Sequence, residues 1–202
     1  MISAILLAAG ESRRMGRPKQ LLEWQGKTLL QHVLESLIHS EADEIILVLG
    51  HEADRISESL PALPVKIVIN PDYQQGMASS LRQGLLALDP QSEAFLLCLA
   101  DQPGIGPEIV NTIIRAFRQA DPTRGIIRPV YRGRRGHPVL ISNRHLKEAL
   151  RLLQGDVGAR QILINHPEDI LEIEVDRDAV LVDMDTPEEY RKQRKLAGSD
   201  ES

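Results

Sequence analysis

Four cations fall within seven residues near the start of the chain: Arg13, Arg14, Arg17 and Lys19. They follow Leu7-Ala8-Ala9-Gly10, whose last three residues carry almost no side chain, so a flat ligand can lie against the backbone there. Successive backbone N–H groups in such a loop form an anion-binding concavity. A compact polyanion suits this pattern. Two familiar phosphate loops do not fit. A P-loop requires G-x-x-x-x-G-K-[ST], but five residues separate Gly10 from Gly16, and Arg17-Pro18 follows. The dinucleotide fingerprint G-x-G-x-x-G does not occur either, which argues against a nicotinamide oxidoreductase.

The acidic candidates lie far from this loop in sequence. Asp101 directly follows the apolar run Ala94–Ala100, and Asp183-Met184-Asp185 ends a later one. Mg²⁺ favours one or two carboxylates together with phosphate oxygens and water. Asp101 is therefore the expected ligand for Mg²⁺ or Mn²⁺, with Asp185 as the second. Alternation puts Asp183 on the same face as Asp185, and capping before Pro187 competes for Asp185. Gly76–Ser80 reads as a helix start whose N–H groups, with the Ser79 and Ser80 hydroxyls, suit a ribose or base. His137 is pinned between Gly136 and Pro138, and Gly155–Arg160 offers another helix start, with Asp156 and a buried-looking Arg160. No Ser-His-Asp or Cys-His set is evident. His32, His39, His51, His145 and His166 show no metal-ligand spacing.

Apolar runs separated by amphipathic stretches must position these groups. Ile2–Ala9 and Glu44–Gly50 read as buried strands, Val65–Asn70 and Ala94–Ala100 as further strands. Thr28–Ser40, His51–Ser59, Gly76–Leu88 and Pro107–Gln119 read as helices. Strands apolar on both faces and joined by helices imply a mostly parallel sheet covered on each side. In such α/β sheets ligands bind beyond the carboxyl ends of the strands, where the loop after Leu7 and Asp101 both fall. Further on, Gly125–Tyr131 and Pro138–Ser142 read as strands around the turn Arg132–Gly136. Arg144–Leu153 and Val157–Asn165 read as helices, Ile170–Val175 and Ala179–Val182 as a strand pair around Arg177-Asp178. Thr186–Leu196 closes the chain as a helix capped by Thr186, with Pro187 at its first position.

With 42% hydrophobic and 26% charged residues among 202, one domain over residues 1–197 is expected, followed by a disordered tail at 198–202. A formal charge of −5 argues against nucleic acid as partner. Cys98 stands alone, so neither an internal disulfide nor a cysteine-rich zinc site can form. The first apolar run is too short to span a bilayer, and a cytoplasmic protein without a membrane partner is expected.

The run LLAAGESRRMGRPKQLLEWQGKTLL resembles the signature LAAGxSxRMGxxK of the MobA-like NTP transferases. It is most similar to their molybdenum cofactor cytidylyltransferase branch. Further matching segments are Gly76–Leu81, Ala100–Pro103, Gly136–Pro138, Gly155–Arg160 and Asp183–Pro187, in order, from residue 2 to about 192. The resemblance implies a single three-layer α/β domain of the nucleotide-diphospho-sugar transferase, Rossmann-like fold. It implies that CMP moves from CTP to the phosphate of a molybdopterin cofactor with release of pyrophosphate. A GTP-using sister enzyme and a sugar-phosphate nucleotidyltransferase are the alternatives. Leu7, Ala8, Ala9 and Gly10 would then hold the nucleotide with Ser79 and Ser80. Arg14 and Lys19 would hold its triphosphate, and Asp101 would complete the catalytic set. His137, Asp156 and Arg160 would face the phosphorylated pterin acceptor. A molybdoenzyme or its chaperone would be the downstream partner. The absence of a general base fits this chemistry, because a phosphate monoester oxygen is already anionic near neutral pH.

Overall fold

The computed structural model describes residues 1–153 and 159–199 of the chain. Its centre is β1 (Ile2–Leu7), in which every residue is buried because neither face meets water. Ala4 and Leu6 point into one core, Ile5 and Leu7 into the other. That two-sided burial explains why the strand reads as an unbroken apolar run.

The strands that follow are β2 (Glu23–Trp24), β3 (Lys27–Thr28), β4 (Glu44–Leu49), β5 (Lys66–Ile69), β6 (Ala94–Leu99), β7 (Ile126–Tyr131), β8 (Arg134–Arg135), β9 (Val139–Ser142) and β10 (Ile170–Glu174). The large sheet runs β10-β7-β9-β6-β1-β4-β5, with β8 paired to β7. β1 is parallel to β4 and β6, with Leu7 opposite Val48 and Leu99. β9 is inserted antiparallel between β6 and β7. After β1 the chain builds outward through β4 and β5, then returns to β6 on the other side of β1. The strand order therefore reverses beside β1, where open α/β sheets form their ligand crevice.

Helices α1 (Leu29–Ile38) and α4 (Pro107–Gln119) cover one face, and α2 (Ala53–Glu58) adds Ala53 and Ile56 there. Helices α3 (Met77–Leu86), α5 (Leu146–Leu152) and α6 (Arg160–Asn165) cover the other. α1 begins with a capping box: Thr28 Oγ1 accepts from Gln31 N–H, and the Gln31 side chain accepts from Thr28 N–H. The same device starts α7 (Pro187–Ser199), using Thr186 and Glu189. α7 docks through Tyr190 onto Leu22, Trp24, Leu29 and Met184, a small third cluster built on the β2–β3 hairpin. Cys98 is buried in β6, and burial pushes its thiol far above the ordinary range. Among the described residues no helix is long and apolar enough to cross a membrane.

The structure departs from the sequence reading in three places. Ala179–Val182 is no strand: Asp178–Leu181 forms a 3-10 turn, and β10 pairs with β7 in parallel instead of turning back on itself. Its apolar residues serve burial, since Val180 is 1% exposed and its carbonyl accepts from His137 N–H. The closing helix reaches Ser199, so the tail expected from 198 begins inside it, because the polar run after Tyr190 is rich in helix formers. Residues 200–202 lie outside the described residues. The β2–β3 hairpin was not expected, its strands being too short for any periodicity. Val157 and Gly158, the expected start of α6, also lie outside the described residues; the described helix begins at Arg160.

Candidate active site

The carboxyl ends of β1 and β6 open into a cleft of about 570 Å³. Leu7, Ala8, Ala9 and Gly10 form one wall, Arg14, Lys19 and Gln20 the next, and Asp101, Asp183 and Asp185 the floor. Tyr73, Gly76, Met77 and Ser80 complete it from the α3 side. Gly76 opens α3 at φ 100°, a backbone state that L side chains rarely adopt. Gly50 lets this wall close up: a Cβ there would sit 2.6 Å from the Tyr73 Cβ and 2.9 Å from that of Ala9.

Gln20 organises the first loop. Its buried amide donates to Ala8 O (2.7 Å) and Gly10 O (3.0 Å), folding the basic segment back over the end of β1. Ser12, at φ 54°, accepts from Lys19 N–H at 3.0 Å. These contacts deliver the Lys19 side chain inward, 19% exposed. The Ala8 N–H donates to Val48 O (2.9 Å), so it is not among the donors a ligand can use.

Lys19 Nζ bridges Asp101 Oδ2 (2.5 Å) and Asp185 Oδ1 (2.7 Å), while Arg14 reaches Asp185 Oδ2 at 2.8 Å. Residues 171 positions apart therefore meet in one charge network. Asp101 is held on the far segment by its own carbonyl, which accepts from Met184 N–H (3.0 Å). Burial pushes the Asp101 carboxyl up; Lys19 opposes this, while Asp183 and Asp185 add to it. Burial alone would lower the Lys19 ammonium, but Asp101 and Asp185 outweigh it and raise it. Burial also works against ionised Asp185, yet Lys19 and Arg14 hold it below the usual carboxylate range. The Asp101 Oδ1 atom is buried without a partner. An orphaned carboxylate oxygen beside two more carboxylates fits a hard divalent cation, which takes oxygen ligands alongside water or phosphate.

The other candidates separate. Ser80 lines the cleft, buried, and accepts from Asn70 Nδ2 at 2.9 Å. Ser79 does not: it faces a neighbouring groove, and its hydroxyl lies 2.8 Å from Gly76 O. Successive helical residues point about 100° apart, so only one of the two serines can face the ligand. His137 lies just outside the cleft wall, in a cis peptide with Pro138, with its Nδ1 buried and unpartnered. Burial lowers its imidazole against the pull of Asp183. Arg160 is exposed rather than buried. Ile162 turns α6 toward the core, and Arg160, two residues earlier, faces a groove lined by Arg128, Arg135 and Glu172 that shares none of the described residues with the cleft. Asp156 lies outside the described residues.

Three cleft-associated residues escaped the sequence reading of the site: Gln20, Tyr73 and Gln102. Gln20 and Tyr73 carried no chemical signal, although Gln20 adjoins Lys19. Asp183, the rival to Asp185 in the sequence, lines the cleft and accepts from buried Gln102 Nε2 at 2.6 Å. Gln102 follows Asp101 directly, a proximity that could have marked it.

The family model of the MobA-like NTP transferase domain matches residues 4–170. The chain is 32% identical to the nicotine blue oxidoreductase of Paenarthrobacter nicotinovorans, over 94% of this chain and 95% of that protein. It is 30% identical to the molybdenum cofactor cytidylyltransferase of Escherichia coli (strain K12), over 94% and 93%. Among solved structures, Rv0371C of Mycobacterium tuberculosis H37Rv in complex with manganese superposes with a TM-score of 0.81. That match has 30% identity and covers 96% of this chain and 98% of the other. The architecture is the nucleotide-diphospho-sugar transferase fold.

Proposed function

The chain belongs to the MobA-like NTP transferase family, and from that premise we propose that it moves CMP from CTP to the phosphate of a molybdopterin-type cofactor, releasing pyrophosphate. The observation that carries the reading is the meeting of Lys19, Arg14, Asp101 and Asp185 at the end of β1. A bare cation pair would suit any anion, but cations interleaved with a carboxylate holding an unpartnered oxygen suit a metal-bound triphosphate.

The acceptor phosphate oxygen attacks the α-phosphorus in line, and the bond to the β-phosphate bridge breaks. Lys19, a point charge at the cleft floor, supports the nonbridging oxygens of the α-phosphate. Arg14, 69% exposed, has the reach to clamp the outer phosphates and follow the leaving pyrophosphate. Both cations exchange a carboxylate partner for a phosphate. Asp101 and Asp185 would hold Mg²⁺ or Mn²⁺, which supplies charge neutralisation and a template for the phosphates. Leu7 to Gly10 offer flat backbone to the base and ribose, and Ser80 a hydroxyl beside them. His137, next to Asp183, stands on the side left for the acceptor.

The relative named an oxidoreductase is as similar as the one named a cytidylyltransferase, so similarity alone does not select between them. The cleft supports the transferase reading: a hydride-transfer site has no need of a half-buried lysine between two aspartates. Thermal stabilisation by CTP, GTP, ATP and UTP, each with and without Mg²⁺, tests this reading. A metal-dependent shift for CTP alone, followed by pyrophosphate release with the cofactor, is the expected result. A GTP-selective shift moves the assignment to the guanylyltransferase reaction. Oxidation of a reduced nicotinamide with no nucleotide shift would overturn it.

A further inference from the structure

At the sheet edge opposite the cleft, segments remote in sequence bring imidazole and carboxylate groups together. His145 ends the short 3-10 turn Asn143–His145 after β9 and is 5% exposed. Glu148 lies in the first turn of α5, and His166 follows the end of α6. One ring nitrogen from each histidine and one Glu148 oxygen all lie within 4.8 Å of one another. His166 Nε2 is 2.6 Å from Glu148 Oε2, and the two imidazole centroids are 4.5 Å apart. Ser142 stands opposite Ala94, the first residue of β6, whereas Asp101 follows its last. A strand of that length spans about 20 Å, so this cluster is separate from the cleft.

The surroundings hold these groups in place. Glu148 Oε1 accepts from Asn165 Nδ2 (2.9 Å), whose Oδ1 accepts from Gln161 Nε2 (2.9 Å), so Oε2 is left aimed at His166. Asp169 Oδ2 is 3.0 Å from His145 Nε2, and Glu168 Oε1 is 3.9 Å from His166 Nδ1. Arg144 is the opposing cation, 2.7 Å from Asp169 Oδ2 and 3.3 Å from His145 Nε2. Three carboxylates against one guanidinium leave these groups a surplus of two negative charges when the imidazoles are neutral. A proton shared between His166 and Glu148 would account for that pair. It would not account for a second imidazole brought against the first from another segment.

We infer that His145, Glu148 and His166 form a second metal site, for Zn²⁺ or a similar borderline divalent ion, with Asp169 or water as fourth ligand. Imidazole nitrogen with carboxylate oxygen suits zinc, whereas the all-oxygen carboxylates of the cleft suit Mg²⁺ or Mn²⁺. The ion takes the place of the proton between His166 Nε2 and Glu148 Oε2, and the neutral ring keeps its one proton on Nδ1, on the side of Glu168. Tetrahedral zinc ligands stand about 3.3 Å apart, so the pair opens slightly from its present contact. The site is structural: it ties the turn after β9, α5 and the end of α6 to one point.

The native protein is equilibrated with Zn²⁺ while excess Mg²⁺ occupies the cleft, and bound zinc is counted by mass spectrometry. Glu148→Gln, His166→Gln and Asp101→Asn are measured alongside. One zinc per native chain is expected, kept by Asp101→Asn and weakened more than about 100-fold in the other two. X-ray absorption of the zinc-loaded native protein reports the ligand shell whether or not the variants fold; two imidazoles support the site. No bound zinc, a shell of oxygens alone, or zinc lost from Asp101→Asn but kept by His166→Gln overturns it.

Discussion

At the carboxyl edge of the sheet, Asp101, Asp183 and Asp185 crowd around Lys19, and Asp101 Oδ1 is left without a partner. At the amino edge, beneath the same strands, Ser3 Oγ donates to Glu44 Oε2 (2.6 Å) and lies 2.9 Å from Ser92 Oγ, which donates to Ala94 O (3.0 Å). Both edges bury polar groups beside β1 and β6. One leaves like charges and an orphaned oxygen facing an open cleft; at the other, Ser3, Ser92 and Glu44 close on one another. Buried polar atoms cost free energy unless paired, and the orphaned Asp101 oxygen lies where an open cleft lets a ligand complete it. The closed set serves folding.

Substitutions at the two edges test that contrast, and the largest effect belongs to the cleft. Asp101→Asn is expected to lower turnover about 10³-fold, by analogy with removal of one stabilising group in other sites. Pyrophosphate release measures it, and a variant within tenfold of native would break the assignment of chemistry to this edge. Lys19→Met should cost about 10²-fold in the same assay. At the other edge, Ser3→Ala should leave turnover unchanged and cost about 1–2 kcal/mol of stability in urea unfolding; a loss of rate without loss of stability would erase the distinction. Within the cleft wall, Ser80→Ala should weaken nucleotide binding about fivefold, the value of one hydrogen bond, and Ser79→Ala should not, as titration calorimetry can show.

The smallest effect concerns pH. The Asp185 carboxyl is held low in the folded state, so its ion pairs contribute stability above the ordinary carboxylate range, and this is lost as pH falls through the folded value. With the side chain 34% exposed, solvent screening keeps the contribution under about 1 kcal/mol. Asp185→Asn should therefore flatten the acid limb of the stability curve slightly. A steeper limb would mean that the folded Asp185 carboxyl is raised rather than lowered.

Much of the fold was legible in the chain. β1, β4 and β6 are buried on both faces, so their apolar runs announce them, and Pro107–Gln119 matches α4 at both ends. Ala179–Val182 misled because a short apolar run looks the same whether it pairs in a sheet or covers a core as a turn. The basic loop and Asp101 were legible for a related reason: each directly follows an apolar strand, and strand ends point to the ligand edge. Ser79 and Ser80 were indistinguishable, since only the rotation of α3 against β1 decides which faces inward.

By itself the sequence determined the elements, the parallel layout and the groups delivered to one edge, because burial periodicity and motif spacing act over a few residues. Only the tertiary structure decided that Lys19 lies between Asp101 and Asp185, that Gln102 holds Asp183, and that Arg160 faces away from the cleft. It also brought His145 to His166, two histidines whose spacing in the chain carries no ligand signature. Those contacts depend on strand order and helix rotation, which the packing of both cores fixes together and no local stretch of sequence encodes.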